Sequence, residues 1–272
     1  MGLPLFAPSE DPGPDFAALL RRTGGPGLPA GSQPLPVTHA TTVVALRFAD
    51  GVVMAGDRRA TEGFTIAHRS MEKVFPADRW SAVAIAGAAG PAVEMVRLFQ
   101  VQLEHYEKVE GVSLSLEGKA NQLAQMVREH LPLAVQGLAV VPLFAGFDLS
   151  SGVGRIFTYD VTGGHYEESD YQATGSGGRD ARTTIKLGFH EGLTRGQAVT
   201  LAVNALYEAA DEDAGTGGPD VVRGIYPMVA VVTEAGYEQV DEDEVAERFG
   251  ELIDQKRRER AGETAPGGVA SS

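Results

Sequence analysis

From Pro36 to Thr61 the chain reads PVTHATTVVALRFADGVVMAGDRRAT, with Thr41 and Thr42 at the head of a β-branched apolar run, behind a segment rich in proline and glycine. A threonine hydroxyl is a weak nucleophile until a base removes its proton, and an N-terminal threonine can supply that base from its own α-amino group. The unperturbed pKa of that amine, about 7.7 to 8.0, lies close to working pH, so no histidine partner is required. Thr41 would acquire this chemistry only after cleavage between Ala40 and Thr41. Taken alone, the two threonines read better as β-formers opening a strand, so the chemical reading needs partners.

Candidate partners follow, each with a plainer reading. Asp57 stands just after the strand-like VVMAGD, and Lys73 sits in MEKVF among apolar neighbours. A lysine near the nucleophile would lower the amine's pKa by like-charge repulsion, and an adjacent aspartate would keep that lysine charged. Singly, each reads as a surface charge at a strand end. AIAGAAG ends a buried strand in small residues and places Gly87 where its N–H could face an oxyanion, or simply makes a strand-to-helix turn. TGSGG and DEDAGTGGPD are glycine-rich but lack the lysine and spacing of a phosphate loop. The sharper reading is of tight turns presenting Ser176, Asp213 and Thr216 to a common site. The histidines at 39, 68, 105, 130, 165 and 190 show no metal-ligand spacing and read as surface or packing residues.

The elements that must hold these residues are legible from the pattern. TTVVALRF, ADG and VVMAGD read as a hairpin whose strands are apolar at nearly every position, as strands covered on both faces are. WSAVAIAG is a third buried strand. Ala92, Val96, Phe99, Leu103 and Tyr106 form one helical stripe with Glu94, Arg97 and Glu104 toward solvent, and Leu116, Ala120, Leu123, Val127 and Leu131 form another, ended or kinked at Pro132. Strands resume at VVPLFAGFD, GRIFTYD and YEESDYQATGSG. Helices follow around RDARTTIKLGFHEG and TRGQAVTLAVNALYEAADED, then a strand pair in YPMVAVVTEAGYEQVD and a charged helix from Asp243 to about Arg260. This order predicts two sheets packed face to face with helix pairs outside.

The 272 residues, 43% of them hydrophobic, suit one large domain. A net charge of -14 argues against a nucleic-acid binder, which needs clustered Lys and Arg. With no cysteine, disulfides and thiolate metal sites are excluded. No apolar run approaches the roughly 20 residues that span a bilayer, and the N-terminus lacks a signal core, so a cytoplasmic protein with no membrane partner is expected. Residues 1–40 hold eight of the fifteen prolines, and only Asp15–Arg22 could make a short helix. By composition they read as a disordered tail; the alternative is a detachable pro-segment. The final GETAPGGVASS reads as disordered.

Taken in order, HATTVVAL, GVVMAGDRRAT, KVF, AIAGAAG, LEHYEKVEG, PLFAGFD, YQATGSG and ALYEAADEDAGTGGPDVVRGIYP closely resemble the β-type subunit of the 20S proteasome in its actinobacterial form. The resemblance runs from about Val37 to Glu259. It implies an α+β fold, the four-layer αββα sandwich of N-terminal-nucleophile hydrolases, in a catalytic domain over 41–260. It also implies a propeptide, 1–40, removed by autocatalysis at Ala40–Thr41, and a tail, 261–272. The implied activity is threonine endopeptidase hydrolysis of unfolded proteins inside a closed chamber, with no cofactor or metal. The implied partners are α-type subunits and further copies of this chain in stacked heptameric rings, a ring-shaped ATPase activator, and unfolded or tagged substrates. Carried over by position, Thr41 resembles the nucleophile, Asp57 and Lys73 its charged partners and Gly87 the oxyanion donor. Ser176 and Asp213 resemble the residues ordering the N-terminus, and Thr216 stands where the family has serine or threonine. Thr61 and Ala89 resemble positions whose backbone pairs with an extended substrate. Ala60, Met71, Phe75, Ile85 and Val93 map around the pocket for the side chain before the cut bond.

One position departs from the pattern: Ala40 stands where the family usually has glycine, which reaches the tight bend of self-cleavage more freely. Slower processing is the expected consequence. Two rivals stand beside this reading. The simpler bacterial two-ring peptidase also begins TT, but typically continues GDGQ where this chain has GDRR. A non-catalytic or processing-arrested ring subunit acting as scaffold would have no reason to keep Thr41 behind a removable segment together with Asp57 and Lys73.

Overall fold

The computed structural model describes residues 41–62 and 65–261. Its strands β1 (Thr42–Phe48), β2 (Gly51–Gly56), β3 (Ala60–Glu62), β4 (Thr65–His68), β5 (Val74–Asp78) and β6 (Ser81–Gly87) lead into helices α1 (Ala89–Glu110), α2 (Leu116–Glu129) and α3 (Leu131–Ala134). Strands β7 (Val140–Asp148), β8 (Val153–Tyr159), β9 (His165–Glu168) and β10 (Tyr171–Gly175) precede helices α4 (Gly178–Gly188) and α5 (Arg195–Glu212). Strands β11 (Met228–Thr233) and β12 (Gly236–Gln239) and helix α6 (Glu242–Ala261) complete the described chain.

Period-two alternation sorts the β1 side chains between two cores, which is why this strand is apolar throughout. Val43 and Ala45, with Val52 and Met54 of β2, pack against Ala82, Ala84, Leu143 and Ile156 of the second sheet. Val44 and Leu46, with Val53 and Ala55, turn the other way onto Ile185, Ala202, Leu206 and Phe249 of α4, α5 and α6. The second sheet repeats the arrangement, with Val83, Ile85, Phe144 and Phe157 meeting Ala92, Val96, Phe99 and Leu123 of α1 and α2. The result is helices, sheet, sheet, helices, the four-layer order expected of the sequence. One sheet runs β10-β1-β2-β11-β12 and the other β5-β6-β7-β8-β9, every pair antiparallel. Each fully buried Leu or Phe contributes about 1.5 to 3 kcal/mol.

The structure differs from the sequence reading in several places. The β3–β4 hairpin and β5 lie between the first hairpin and the strand in WSAVAIAG; they are short, and β4 is exposed throughout, so they carry little hydrophobic signal. YEESDYQATGSG is not one strand. At Ser169 and Asp170 the chain passes from the second sheet to the first, held by the Arg47 N–H on the Asp170 carbonyl (2.8 Å) and Arg47 Nη1 on the Ser169 carbonyl (2.8 Å). Tyr106 is exposed rather than part of the buried stripe, which ends at Leu103. Pro132 lies inside the single turn of α3 after α2 has already stopped. The last helix begins at Glu242 and continues to Ala261, one residue into the expected tail. The short helix at Asp15–Arg22, the pro-segment with Ala40, and the tail beyond Ala261 lie outside the described residues.

Candidate active site

The β1–β2 hairpin does the first positioning. Its register sets Val43 opposite Gly56, so Thr42 and Asp57 form the next pair outward. The Asp57 N–H donates to the Thr42 carbonyl (3.1 Å), and the Thr42 N–H donates back to Asp57 Oδ1 (2.8 Å). On the other flank β10 sets Gly175 opposite Thr42, and the Ser176 N–H donates to the Thr41 carbonyl at 2.9 Å. Thr41 therefore sits at the mouth of a sheet pinned on both sides, with only 5% of its surface exposed.

Asp57 and Lys73 are each 0% exposed, which removes the reading of them as surface charges. Both Asp57 oxygens are occupied. Oδ1 accepts Lys73 Nζ at 2.6 Å beside the Thr42 N–H, and Oδ2 accepts the N–H groups of Arg59 (2.9 Å) and Gly217 (2.8 Å). Lys73 also donates to the Arg59 carbonyl at 2.6 Å. Such pairing is what makes two buried charges tolerable. Burial pushes the Lys73 ammonium below the ordinary lysine range; the charge of Arg59 adds to this, while Asp57 and Asp213 oppose it without cancelling it.

The other half of the site comes from the end of α5, where Asp213 caps the helix by donating its N–H to Ala209. Asp213 Oδ2 accepts the hydroxyls of Ser176 (2.5 Å) and Thr216 (2.6 Å), and Oδ1 accepts the Gly215 N–H (3.2 Å). Burial raises the Asp213 pKa, but these hydrogen bonds outweigh it and hold the carboxyl below its ordinary value. Thr216, 0% exposed, lies 2.6 Å from the Thr42 hydroxyl. Arg59 binds this loop from outside, Nη1 donating to the Ala214 and Thr216 carbonyls, each at 3.1 Å.

Thr41, Asp57, Lys73, Ser176, Asp213 and Thr216 are thus joined in one hydrogen-bonded constellation. Gly87 ends β6 at φ +109°, a conformation that side chains disfavour, and a Cβ there would lie 2.1 Å from the Ala139 carbonyl oxygen. Helix α1 starts just beyond it at Ala89, so first-turn N–H groups without intrahelical acceptors and the positive end of the helix dipole lie next to Gly87. Among the substrate positions, Phe75 and Val93 pack on the apolar cluster that contains Ile85. Ala60, buried, and Thr61, half-buried, belong to β3, and the Met71 N–H donates to the Arg58 carbonyl at 3.0 Å.

Sequence reasoning missed Thr42, Arg59, Gly177 and Gly217 as members of this network. Strand parity could have found Thr42, because pairing Val43 with Gly56 forces it opposite Asp57. Arg59 was hidden in a dipeptide of charges that looks solvated, and the two glycines act through backbone N–H groups that leave no side-chain signature.

Residues 37–223 match the proteasome subunit family. Over 263 residues the chain is 65% identical to a proteasome subunit beta of Acidimicrobium ferrooxidans, covering 96% of both chains. Over 242 residues it is 54% identical to a proteasome subunit beta of Streptomyces griseus, covering 89% of this chain and 86% of that one. The chain belongs to the proteasome subunit family. Within that family it stands with the β subunits, the catalytic protease subunits of the core, which assemble in rings with α subunits. No described helix is long and apolar enough to cross a membrane.

Proposed function

We propose that the chain is a threonine endopeptidase precursor that cuts itself between Ala40 and Thr41 and then hydrolyses unfolded proteins in the cytoplasm, fed by a ring-shaped ATPase. The observation that carries this reading is the arrangement around Thr41: a buried Asp57–Lys73 pair hydrogen-bonded to the adjacent Thr42 on one side, and Ser176, bonded to both the Thr41 carbonyl and Asp213, on the other. Such a constellation has no packing purpose that apolar residues would not serve better.

In the mature chain the α-amine of Thr41 takes the hydroxyl proton as Oγ1 attacks the substrate carbonyl. Positive charge at Lys73 favours the neutral, proton-accepting form of that amine and stabilises the developing alkoxide. The oxyanion of the tetrahedral intermediate is stabilised by the Gly87 N–H. Collapse expels the leaving amine, which takes the proton from the Thr41 ammonium, and leaves an ester on Oγ1. Water, deprotonated by the same amine, then hydrolyses the ester. In the precursor the attacked carbonyl is that of Ala40. The Thr41 nitrogen, still part of that amide, cannot be the base, so water takes the hydroxyl proton and returns it to the Thr41 nitrogen, which leaves as the new α-amine. A second water hydrolyses the Ala40 ester left on Oγ1.

Intact mass and N-terminal sequence of the chain after co-expression with its α-type subunit, beside a Thr41→Ala control, test the proposal. Loss of residues 1–40 in the parent alone supports it. An assembled parent that keeps them would mark an arrested subunit, and Ala40→Gly would be the first change to try. The apolar character of Ala60, Met71, Phe75, Ile85 and Val93 also predicts faster cleavage after Tyr or Leu than after Arg or Glu in fluorogenic peptides. Fastest cleavage after a charged residue would overturn that assignment.

A further inference from the structure

Thr42 is 0% exposed in a strand whose next residues are valines, and valine has the same shape with at least as strong a strand preference. Burying a hydroxyl there calls for a reason beyond propensity. Every polar group of Thr42 is engaged. Its N–H and carbonyl are exchanged with Asp57, and its hydroxyl accepts the Gly177 N–H at 2.9 Å and meets the Thr216 hydroxyl at 2.6 Å. Gly177 comes this close only because it lacks a Cβ, which would lie 2.6 Å from Thr216 Oγ1 and 2.8 Å from Thr42 Oγ1.

Counting protons fixes the direction of the chain. A hydroxyl has one proton. Thr216 must give its proton to Asp213 Oδ2, 2.6 Å away, because an ionised carboxylate only accepts. The bond between the two threonines is then donated by Thr42, whose oxygen accepts from Gly177. The sequence of donors is Gly177 N–H, Thr42 hydroxyl, Thr216 hydroxyl, Asp213 carboxylate, and Thr42 is the residue that also grips Asp57.

We infer that Thr42 is a positioning residue for the Thr41 site: its backbone locks to Asp57 of the Lys73 pair while its hydroxyl orients Thr216 and Asp213, so that both halves of the constellation are held in register on the residue next to the nucleophile. The inference rests on the reading of Thr41 as nucleophile. It acts on the turnover of bound substrate rather than on binding, since Thr42 lies inside the sheet and none of the expected substrate-lining positions is part of its network.

The test uses chains released with Thr41 at the N-terminus by removal of a tag, assembled with α-type subunits, and compares parent, Thr42→Val, Thr42→Ser, Thr42→Ala and Thr41→Ala. Thr42→Val should lower kcat on the order of 10²-fold, the scale of a misplaced catalytic group, with KM changed less than about threefold. Thr42→Ser, which keeps the hydroxyl, should recover most of the rate. Parental kcat in Thr42→Val, or Thr42→Ser as slow as Thr42→Val, would overturn the inference. If Thr42→Val does not assemble, Thr42→Ser against Thr42→Ala decides it, because these differ by the oxygen alone: a fast serine and a slow alanine support it, and equal rates overturn it. Thr41→Ala reports separately, for parental activity there would defeat the reading of Thr41 whatever Thr42 does.

Discussion

Two buried lysine–aspartate pairs lie among the described residues, built from the same side chains in different surroundings. Lys73 meets Asp57 at 2.6 Å and Lys119 meets Asp78 at 2.5 Å, with all four side chains largely shielded from solvent. What separates them is the company each carboxylate keeps. Asp57 gathers donors from distant segments, the Thr42 N–H in β1, the Arg59 N–H after β2 and the Gly217 N–H in the loop after α5, so it ties the first hairpin to the loop that follows α5. Asp78 takes the Trp80 N–H (3.1 Å) and the Ser81 hydroxyl (2.6 Å) from its own turn, and Lys119 then fastens α2 to that β5–β6 hairpin. On the proposed reading one pair sets chemistry, while the other sets a helix against a sheet; burial and distance alone do not distinguish them.

Removing one lysine at a time breaks the comparison most forcefully. In assembled particles begun at Thr41, Lys73→Ala should lower kcat on the order of 10³-fold or more, the upper range for a group that manages a proton in the transition state. Lys119→Ala should leave kcat within about twofold of the parent, because none of its partners touches the site. Both changes strand a buried carboxylate, so each should cost about 3 to 5 kcal/mol in denaturant unfolding. Peptide hydrolysis and unfolding measured on the same preparations separate the roles. An inactive but assembled Lys119→Ala particle, or an active Lys73→Ala one, would erase the distinction.

Titration sharpens it further. The Lys73 pKa is depressed in the folded chain, chiefly by burial, so kcat/KM should fall on an alkaline limb below the ordinary lysine range as the ammonium is lost. Between that depressed value and the unfolded value of about 10.4 the unfolded chain binds more protons, so Lys73's own contribution makes stability rise with pH while activity falls. Asp213 has the same sign of linkage in an acidic window. Its pKa is depressed despite burial because hydroxyls and N–H groups favour the carboxylate. Its stabilising contribution is present above the unfolded value of about 3.9 and disappears as pH falls through the folded one. Rate profiles of parent and Lys119→Ala should superimpose in shape; a displaced alkaline limb in Lys119→Ala would couple the two pairs.

The layered fold was legible because period-two strands apolar on both faces leave little choice but two sheets between helices, as Val43 and Val44 pointing into different cores illustrate. The side chains that the fold gathers around Thr41 were legible as candidates, through the order of short motifs around Asp57, Lys73, Ser176, Asp213 and Thr216. What could not be read were contacts set by register and backbone: Thr42 opposite Asp57, the N–H groups of Gly177 and Gly217, and the sheet change at Ser169–Asp170. Lys119 and Lys73 look alike as letters. Lys119 occurs within an amphipathic helix pattern and Lys73 before a short strand, and neither context announces a buried partner.

The smallest effect is expected from the hydroxyl that supports the second pair. Ser81 is 0% exposed and donates to Asp78 at 2.6 Å, as Ser176 donates to Asp213 at 2.5 Å, so two serines hold two carboxylates at almost the same length. Ser81→Ala removes one hydrogen bond to a charged acceptor and should cost about 1.5 to 3 kcal/mol in unfolding. Hydrolysis should be untouched, because Asp78 reaches only its own turn and α2. Ser176→Ala removes one of the two hydroxyls that Asp213 Oδ2 accepts, leaving that of Thr216, and it does so beside Thr41, so its loss should register in kcat even where the stability change matches that of Ser81→Ala. Equal kcat for the two alanine variants would mean that the Asp213 side of the site, like the Asp78 turn, holds the fold and not the chemistry.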